Sequence, residues 1–406
     1  MGRICSASSI ISVLVICLSI SMPGNCRPIA STTNITTKGW VDNGHGRTPP
    51  MGWSSWNSFH CNITEELIIQ IANAMVFTGL ADLGYKYINL DDCWGRFTRS
   101  PVQHKLEEDR EKFPSGLAAL GNYIHSLGLQ FGIYSSAGTS TCSGSMPGSL
   151  GHEQADAYTF ASWGVDYLKY DNCYNNGISP LIRYRAMSDA LRATGRPIFY
   201  NICEWGDMEP ALWAGELGNS WRTADDIVDN WNRMLCIADK NAMYAEYARP
   251  GAWNDPDTLE VGNGGMSHEE YKVHFSIWAI SKAPLILGCD IRNLSSETWS
   301  LISNSEVIAV NQDPLGIQAK KVRNYGQRDL WAGPLSQNRF VILFVNRKTY
   351  DLEITAHWSD VGIPDDTVVL ARDLWLHQDL SDILIGNFSV TVKSHSCKMF
   401  ILTPHY

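Results

Sequence analysis

Tyr167-Leu168-Lys169-Tyr170-Asp171-Asn172-Cys173 is a short β-type run ending in a carboxylate, and Ser220-Trp221-Arg222-Thr223-Ala224-Asp225-Asp226-Ile227 repeats the arrangement further along. Residues two apart on a strand share a face. Lys169 and Asp171 therefore point the same way, as do Arg222, Ala224 and Asp226, while Asp225 points away. Working outward, the same unit recurs. Apolar β-type runs begin near Met51, Tyr85, Leu129, Tyr167, Ile198, Ser220, Gly251 and Pro284. Amphipathic stretches lie between them: Glu65–Leu83, Gly121–Leu127, His152–Trp163, Pro180–Ala193 and Asp229–Ala248. Eight strands alternating with helices over about 250 residues predict an α/β fold, a (β/α)8 TIM barrel over 46–320.

The strand ends carry Trp53 and Trp56, Asp91 and Asp92, Tyr134, Asp171, Glu204 and Trp205, Asp226, Asp257, and Asp290. A barrel gathers such residues at one face. Polarity at one or two ends is expected where a strand leaves the core; polarity at most of them predicts a single pocket. Two carboxylates from different strand ends, each with a basic neighbour, are what glycoside hydrolysis needs. Structural ion pairs at strand ends are the plainer alternative.

Past Asn311-Gln312-Asp313-Pro314-Leu315-Gly316 the pattern changes. Asp329–Ala332, Arg339–Asn346, Leu352–His357, Val368–Leu374 and Ser389–Val392 alternate or carry β-branched residues between closely spaced turns. They predict a C-terminal antiparallel β-sandwich domain over 321–406, packed on the barrel and poor in acid/base candidates.

Composition narrows the classes. The chain has 406 residues, 44% hydrophobic, with a formal charge of −10, which argues against nucleic acid and anionic membrane as partners. Fifteen Trp could stack on sugar faces, but core packing is the better reading for most. Arg3 followed by the apolar run Ile10–Ile20 and then Ser, Pro, Gly and Cys predicts a signal peptide over 1–26 and a flexible leader over 27–45. Sequons at Asn34, Asn62, Asn293 and Asn387 suit a secreted glycoprotein, extracellular or vacuolar. Beyond the signal region eight cysteines remain, and an oxidising route permits disulfides whose pairing spacing does not give. No CxxC or HExxH spacing points to zinc, and Gly262-Asn263-Gly264-Gly265 lacks a dinucleotide-type context, so neither metal nor cofactor is expected. That stretch instead leads into a helix capped at Ser267.

The chain resembles glycoside hydrolase family 27, the secreted α-galactosidases, and is most similar to the plant members. The motifs are Pro50-Met51-Gly52-Trp53-Ser54-Ser55-Trp56-Asn57, Leu90-Asp91-Asp92-Cys93-Trp94, Gly132-Ile133-Tyr134, Tyr167–Cys173, Cys203-Glu204-Trp205-Gly206, Trp221–Ile227, Trp253-Asn254-Asp255-Pro256-Asp257 and Gly288-Cys289-Asp290, in family order. The resemblance implies a retaining exo-α-galactosidase acting on a carbohydrate. It makes Asp171 the nucleophile and Asp226 the acid/base, and places Trp56, Asp91, Asp92, Tyr134, Lys169, Cys203, Glu204, Trp205, Arg222 and Asp257 on the sugar. Asp91 and Asp92 would take the 4- and 6-hydroxyls of galactose. It also implies disulfides Cys61–Cys93 and Cys142–Cys173. Lys169 beside Asp171 is expected to favour the ionised nucleophile.

Three positions depart from the family pattern: Thr258 in place of Met, Ser136 in place of Asp, and the charged loop Gly95–Lys112. They bear on substrate preference more than on reaction class. The competing readings are a β-L-arabinopyranosidase, against which the retained Asp92 speaks, an α-N-acetylgalactosaminidase, against which bulky Trp205 speaks, and a catalytically silent galactose-binding protein, against which both carboxylates speak.

Overall fold

The computed structural model describes residues 39–405. The expected signal peptide, most of the expected leader and the Asn34 sequon lie outside the described residues. Eight strands begin at or just after the starts read from the sequence: β1 Met51–Ser54, β2 Tyr87–Leu90, β3 Gln130–Ser136, β4 Tyr167–Asp171, β5 Phe199–Cys203, β6 Ser220–Arg222, β7 Trp253–Asp255 and β8 Leu285–Leu287. They pair in parallel in the order β7-β6-β5-β4-β3-β2-β1-β8. Leu259, just past β7, closes the ring against β8: its N–H donates to Ile286 O at 2.7 Å and its carbonyl accepts from Gly288 at 2.9 Å. The lateral register sets Asp171 level with Ser136 on one side and Cys203 on the other.

Helices fill the connections, as an amphipathic stretch between parallel strands requires. They span Glu65–Phe77, Leu117–Ser126, Glu153–Ser162, Pro180–Ala193, Trp231–Ala242 and His268–Ile280. Thr64 caps the first, its hydroxyl accepting from Leu67 N. Ser267 and Glu270 form the capping box that opens the last, a device worth roughly 1 kcal/mol. One boundary differs from the expectation. Gly121 lies inside its helix rather than at its start, because a Cβ there would stand 2.7 Å from Trp163 O. The glycine serves close packing, so the helix begins earlier, at Leu117. The Trp231 helix also stops before the expected Ala248, giving way to a 3-10 turn over Ala245–Tyr247.

The C-terminal domain holds β9 Lys320–Asn324, β10 Arg328–Leu335, β11 Arg339–Asn346, β12 Leu352–His357, β13 Val368–Asp373, β14 Gln378–Asp379, β15 Leu384–Ile385, β16 Asn387–Val392 and β17 Ser396–His405. The larger sheet runs β14-β13-β17-β11-β10-β9, with β15 on β13, and β12 pairs β16. Strand alternation divides the larger sheet between two cores. Val341, Leu343 and Val345 of β11 join the barrel's core, while Ile342 and Phe344 join the sandwich's own. Central β17 did not stand out in the sequence, because a strand covered on both sides reads as an apolar run without period two. Seven Trp are fully buried, among them Trp53, Trp94, Trp221, Trp253 and Trp278, which bears out the core reading for these.

Candidate active site

The C-terminal ends of β1 to β7 converge on a charged centre. After β2, Asp91 and Asp92 are 3% and 1% exposed. Asp91 Oδ2 takes the Lys169 ammonium at 2.8 Å. Asp92 accepts from the backbone of Cys93 at 2.7 Å and of Ser143 at 2.9 Å. Asp171, the last residue of β4, is buried; its Oδ2 accepts from the Tyr134 hydroxyl at 2.9 Å and its Oδ1 from Asn172 N at 2.9 Å. On the far side, Arg222 of β6 is 2% exposed and forks between Asp257 Oδ2 at 2.9 Å and Asp226 Oδ1 at 3.2 Å, with Cys203 Sγ at 3.5 Å. Asp257 Oδ2 also accepts from Ile227 N at 2.8 Å, tying the loop after β7 to the loop after β6. The Asp226 side chain itself stays open to solvent, at 69%.

The electrostatics differ in one respect from the expectation. Lys169 shares a strand face with Asp171 but forms its ion pair with Asp91. Burial pushes Asp171 up to about 6; Lys169 opposes this, the Asp226 charge adds to it, and the bonds from Asn172 and Tyr134 oppose it. Asp226 is largely exposed, so the desolvation that acts upward on it is outweighed by Arg222, Lys169 and Arg233, which hold its carboxyl below the usual range. Of this pair, Asp171 is therefore the carboxyl that holds a proton more readily. A cation two residues away on a strand does not cancel the cost of desolvating a carboxylate.

Most of the residues singled out in the sequence meet here. Tyr134, Lys169, Asp91 and Asp92 gather around Asp171, and Cys203, Arg222 and Asp257 around Asp226, the two groups meeting where Asp171 pairs with Cys203 across β4 and β5; Asp92 is joined to Asp91, whose Oδ1 accepts from its N–H at 2.9 Å. Trp56 and Trp205 are half-buried at the rim. Cys93, Trp205 and Asp257 hold left-handed backbone, at φ +74°, +65° and +85°. For non-glycine residues that costs roughly 1–3 kcal/mol each, and such strain gathers at functional sites. Glu204 is different: fully buried, its carboxyl accepts from Met208 N at 3.0 Å and shapes its own loop. Burial pushes it up to about 7.

The bracing of the site carries no motif that could be read beforehand. Buried Arg183 donates to Asn172 Oδ1 at 2.7 Å and to Ala137 O at 2.9 Å, fixing the chain just past Asp171. Arg233 grips Asp226 O at 2.6 Å. Its only signal was a basic residue on the Trp231 helix. Both disulfides form, Cys61–Cys93 and Cys142–Cys173, each tying neighbouring strand-end loops. In the Gly95–Lys112 loop, Arg99 holds buried Asp156 through two bonds of 2.7 Å, so the loop is fastened to the barrel's helical layer. Among the described residues, Cys142, Cys173 and Asp171 are close enough together to suggest a metal, but the two cysteines are spent on their disulfide.

Beside this charged centre lies a cavity of about 30 Å³ bounded by Asn89, Lys169, Asn201, Arg222, Asp255, Asp257 and Thr258 among others. The Thr258 hydroxyl and the Arg222 Nε are buried there without partners.

A parallel barrel that brings two interacting carboxylates, with further buried acids and cations beside them, to its C-terminal rim has the arrangement of the barrel glycoside hydrolases. Residues 48–313 match the family described as alpha galactosidase A, and residues 325–402 its C-terminal beta sandwich domain. The chain is 58% identical over 373 residues to an alpha-galactosidase of Coffea arabica, spanning 92% of this chain and 98% of that one. It is 55% identical over 364 residues to an alpha-galactosidase of Oryza sativa subsp. japonica, spanning 90% and 87%. The crystal structure of alpha-galactosidase I from Mortierella vinacea superposes with a TM-score of 0.87 at 41% identity, covering 89% of this chain and 98% of that one. The chain belongs to glycoside hydrolase family 27, the α-galactosidases.

Proposed function

We propose that this chain removes terminal α-D-galactosyl residues from galactosides by double displacement, with Asp171 as nucleophile and Asp226 as acid/base. One observation carries the roles: one carboxyl sits at the end of β4 and the other in the loop after β6, close enough that the charge of Asp226 raises Asp171. Asp171 attacks the anomeric carbon while Asp226 protonates the departing oxygen; water then cleaves the galactosyl-enzyme with Asp226 as base. Sugar binding shifts the balance between the two carboxyls. Hydroxyls that engage Arg222 weaken its hold on Asp226, and the glycosidic oxygen covers the open side of that carboxyl, so the shared proton moves from Asp171 to Asp226. Asp91 and Asp92 accept from the 4- and 6-hydroxyls. A sugar with an inverted 4-hydroxyl leaves a buried acceptor unpaired. Hydrolysis of a chromogenic α-galactoside, followed by NMR of the first-formed sugar, tests this: α-galactose must appear first. An initial β-galactose would falsify the retaining assignment.

The pH profile follows from the pair. Productive enzyme carries one proton on Asp171/Asp226. Because Asp171 loses its proton at about 6, kcat/KM falls as pH rises through that value. Because Asp226 is held low, the acid limb lies below the ordinary carboxylate range. Tyr134→Phe removes a bond to ionised Asp171 and so moves the basic limb upward. A profile flat from pH 5 to 8 contradicts this account.

Thr258→Met tests the floor of the pocket. The methionine removes an orphaned hydroxyl and fills the cavity with an adaptable thioether chain. It should hold Asp257 more firmly and lower KM for simple α-galactosides by about threefold with kcat little changed. An unchanged or raised KM on an intact fold removes the idea.

The reading carries with it a secretory route. The two disulfides suit an oxidising compartment, and the described sequon residues Asn62, Asn293 and Asn387 are all exposed. Extracellular or vacuolar delivery of the mature chain is the expected outcome, readable from a fluorescent fusion to the full sequence.

A further inference from the structure

Glu260 lies three residues past Asp257, is 3% exposed, and has no part in the chemistry described above. Its Oε1 accepts from Asn57 Nδ2 in a short bond, and its Oε2 accepts from Asn263 Nδ2 at 2.5 Å. Its own N–H donates to His274 Nε2 at 3.0 Å. His274 packs edge-on against Trp278 with ring centroids 4.1 Å apart, and Trp278 Nε1 donates to Asp257 O at 2.7 Å. Asn57 directly follows Trp56, and its neighbour Ser58 donates to Gly288 O, past β8, at 2.7 Å. One buried carboxyl thus joins the turn bearing Trp56 to the loop bearing Asp257 and Thr258, and both rest against the end of β8.

A buried carboxyl is an expensive way to join two loops. The charges acting most on Glu260 are Asp257 and Asp229, both of its own sign; burial pushes it up to about 7. At acidic pH it is a neutral acid, which glutamine matches in size and charge; the glutamine oxygen keeps one of the two amide bonds, and its NH2 regains the other once the facing asparagine amide turns its oxygen inward. Hydrogen bonds from amides on two separate loops, with both oxygens used, define the loops' relative position more closely than apolar packing would.

We propose that Glu260 is a positioning residue for the sugar site: it clamps the Trp56 turn to the Asp257 loop, so that the two close on the galactosyl ring as one unit. The inference rests on the α-galactosidase reading and deepens it. Glu260 touches no substrate in this scheme and acts through Asn57 and the Asp257 loop. Strands β7, β8 and β1 are contiguous in the barrel, whereas Asp171 ends β4 and Asp226 lies in the loop after β6. Losing the clamp should therefore weaken sugar binding while leaving the chemical step largely intact.

The test uses the purified full-length protein at pH 5, with an aryl α-galactoside as substrate and galactose as competitive inhibitor. For Glu260→Ala, KM and the galactose Ki rise about tenfold while kcat stays within about threefold. Glu260→Gln keeps all three within about threefold of wild type, because one amide bond stays and a turned asparagine amide restores the other. A folded Glu260→Ala with an unchanged Ki overturns the proposal, as does a Glu260→Gln as impaired as Glu260→Ala. Should Glu260→Ala not fold, Asn57→Ala and Asn263→Ala are read in its place: raised Ki in both supports the clamp, and unchanged Ki in either overturns it. Wild-type turnover in the same assay separates the two levels. An inactive wild type defeats the α-galactosidase reading; an active wild type with insensitive variants defeats the clamp alone.

Discussion

Asp171→Asn lowers kcat/KM for α-galactosides by on the order of 10⁴-fold or more, on good and poor leaving groups alike. The amide keeps the shape of the side chain, and its oxygen can still accept from Tyr134 or Asn172 N, so the site remains assembled. What is lost is the only charge placed to attack the anomeric carbon. The fold should not suffer. Asp171 is raised to about 6 in the folded chain, so its ionised form opposes folding at any pH above that value. Asparagine removes the cost, and the thermal midpoint at pH 7 stays equal or rises. Thermal melts and galactose binding check this side of the prediction. Residual activity of more than about 1% on an intact fold would point to another nucleophile.

Asp226→Asn separates substrates by their leaving groups. For alkyl and sugar leaving groups, such as those of raffinose-type oligosaccharides, kcat/KM falls about 10²–10⁴-fold, because the departing oxygen now leaves as an unassisted alkoxide. For an aryl galactoside with an acidic phenol the loss in the first step is about tenfold or less, and turnover becomes limited by deglycosylation, which has lost its base. A burst of phenol is then expected. The same substitution removes the charge that Asp226 contributes to raising Asp171, so the Asp171 titration moves down. Equal losses on both substrate types, measured where galactosylation limits the rate, would show that Asp226 is not the acid.

The sequence alone determined the architecture. Eight apolar runs separated by amphipathic stretches have few other ways to bury both faces of every strand than a parallel barrel, and β1 to β8 start at or just after the read positions. Period two also put Arg222 and Asp226 on one side; the two do meet, but β6 ends at Arg222 and the contact is made by the loop that follows it. Capping at Ser267 was legible because a Ser followed three residues later by a Glu is a local device. Where local pattern misled, long-range contact was the cause. Gly121 resembled a helix boundary, but its missing Cβ makes room for Trp163 O. Strand β17 had no alternation to read because both its faces are covered.

Only the tertiary structure decided what each charge meets. Lys169 shares a face with Asp171 yet pairs with Asp91, delivered by a different strand. Glu204 sits beside Trp205 in sequence but turns into its own loop. Arg183, Arg233 and Glu260 carry no motif, and act through partners that the barrel brings from elsewhere: Arg183 holds Ala137, and Glu260 reaches across the ring to Asn57. The physical reason is common to all of these. A strand's period fixes direction from sequence alone, but the protonation and position of a buried group depend on desolvation and on every neighbour within a few ångströms, and closing the barrel chooses those neighbours.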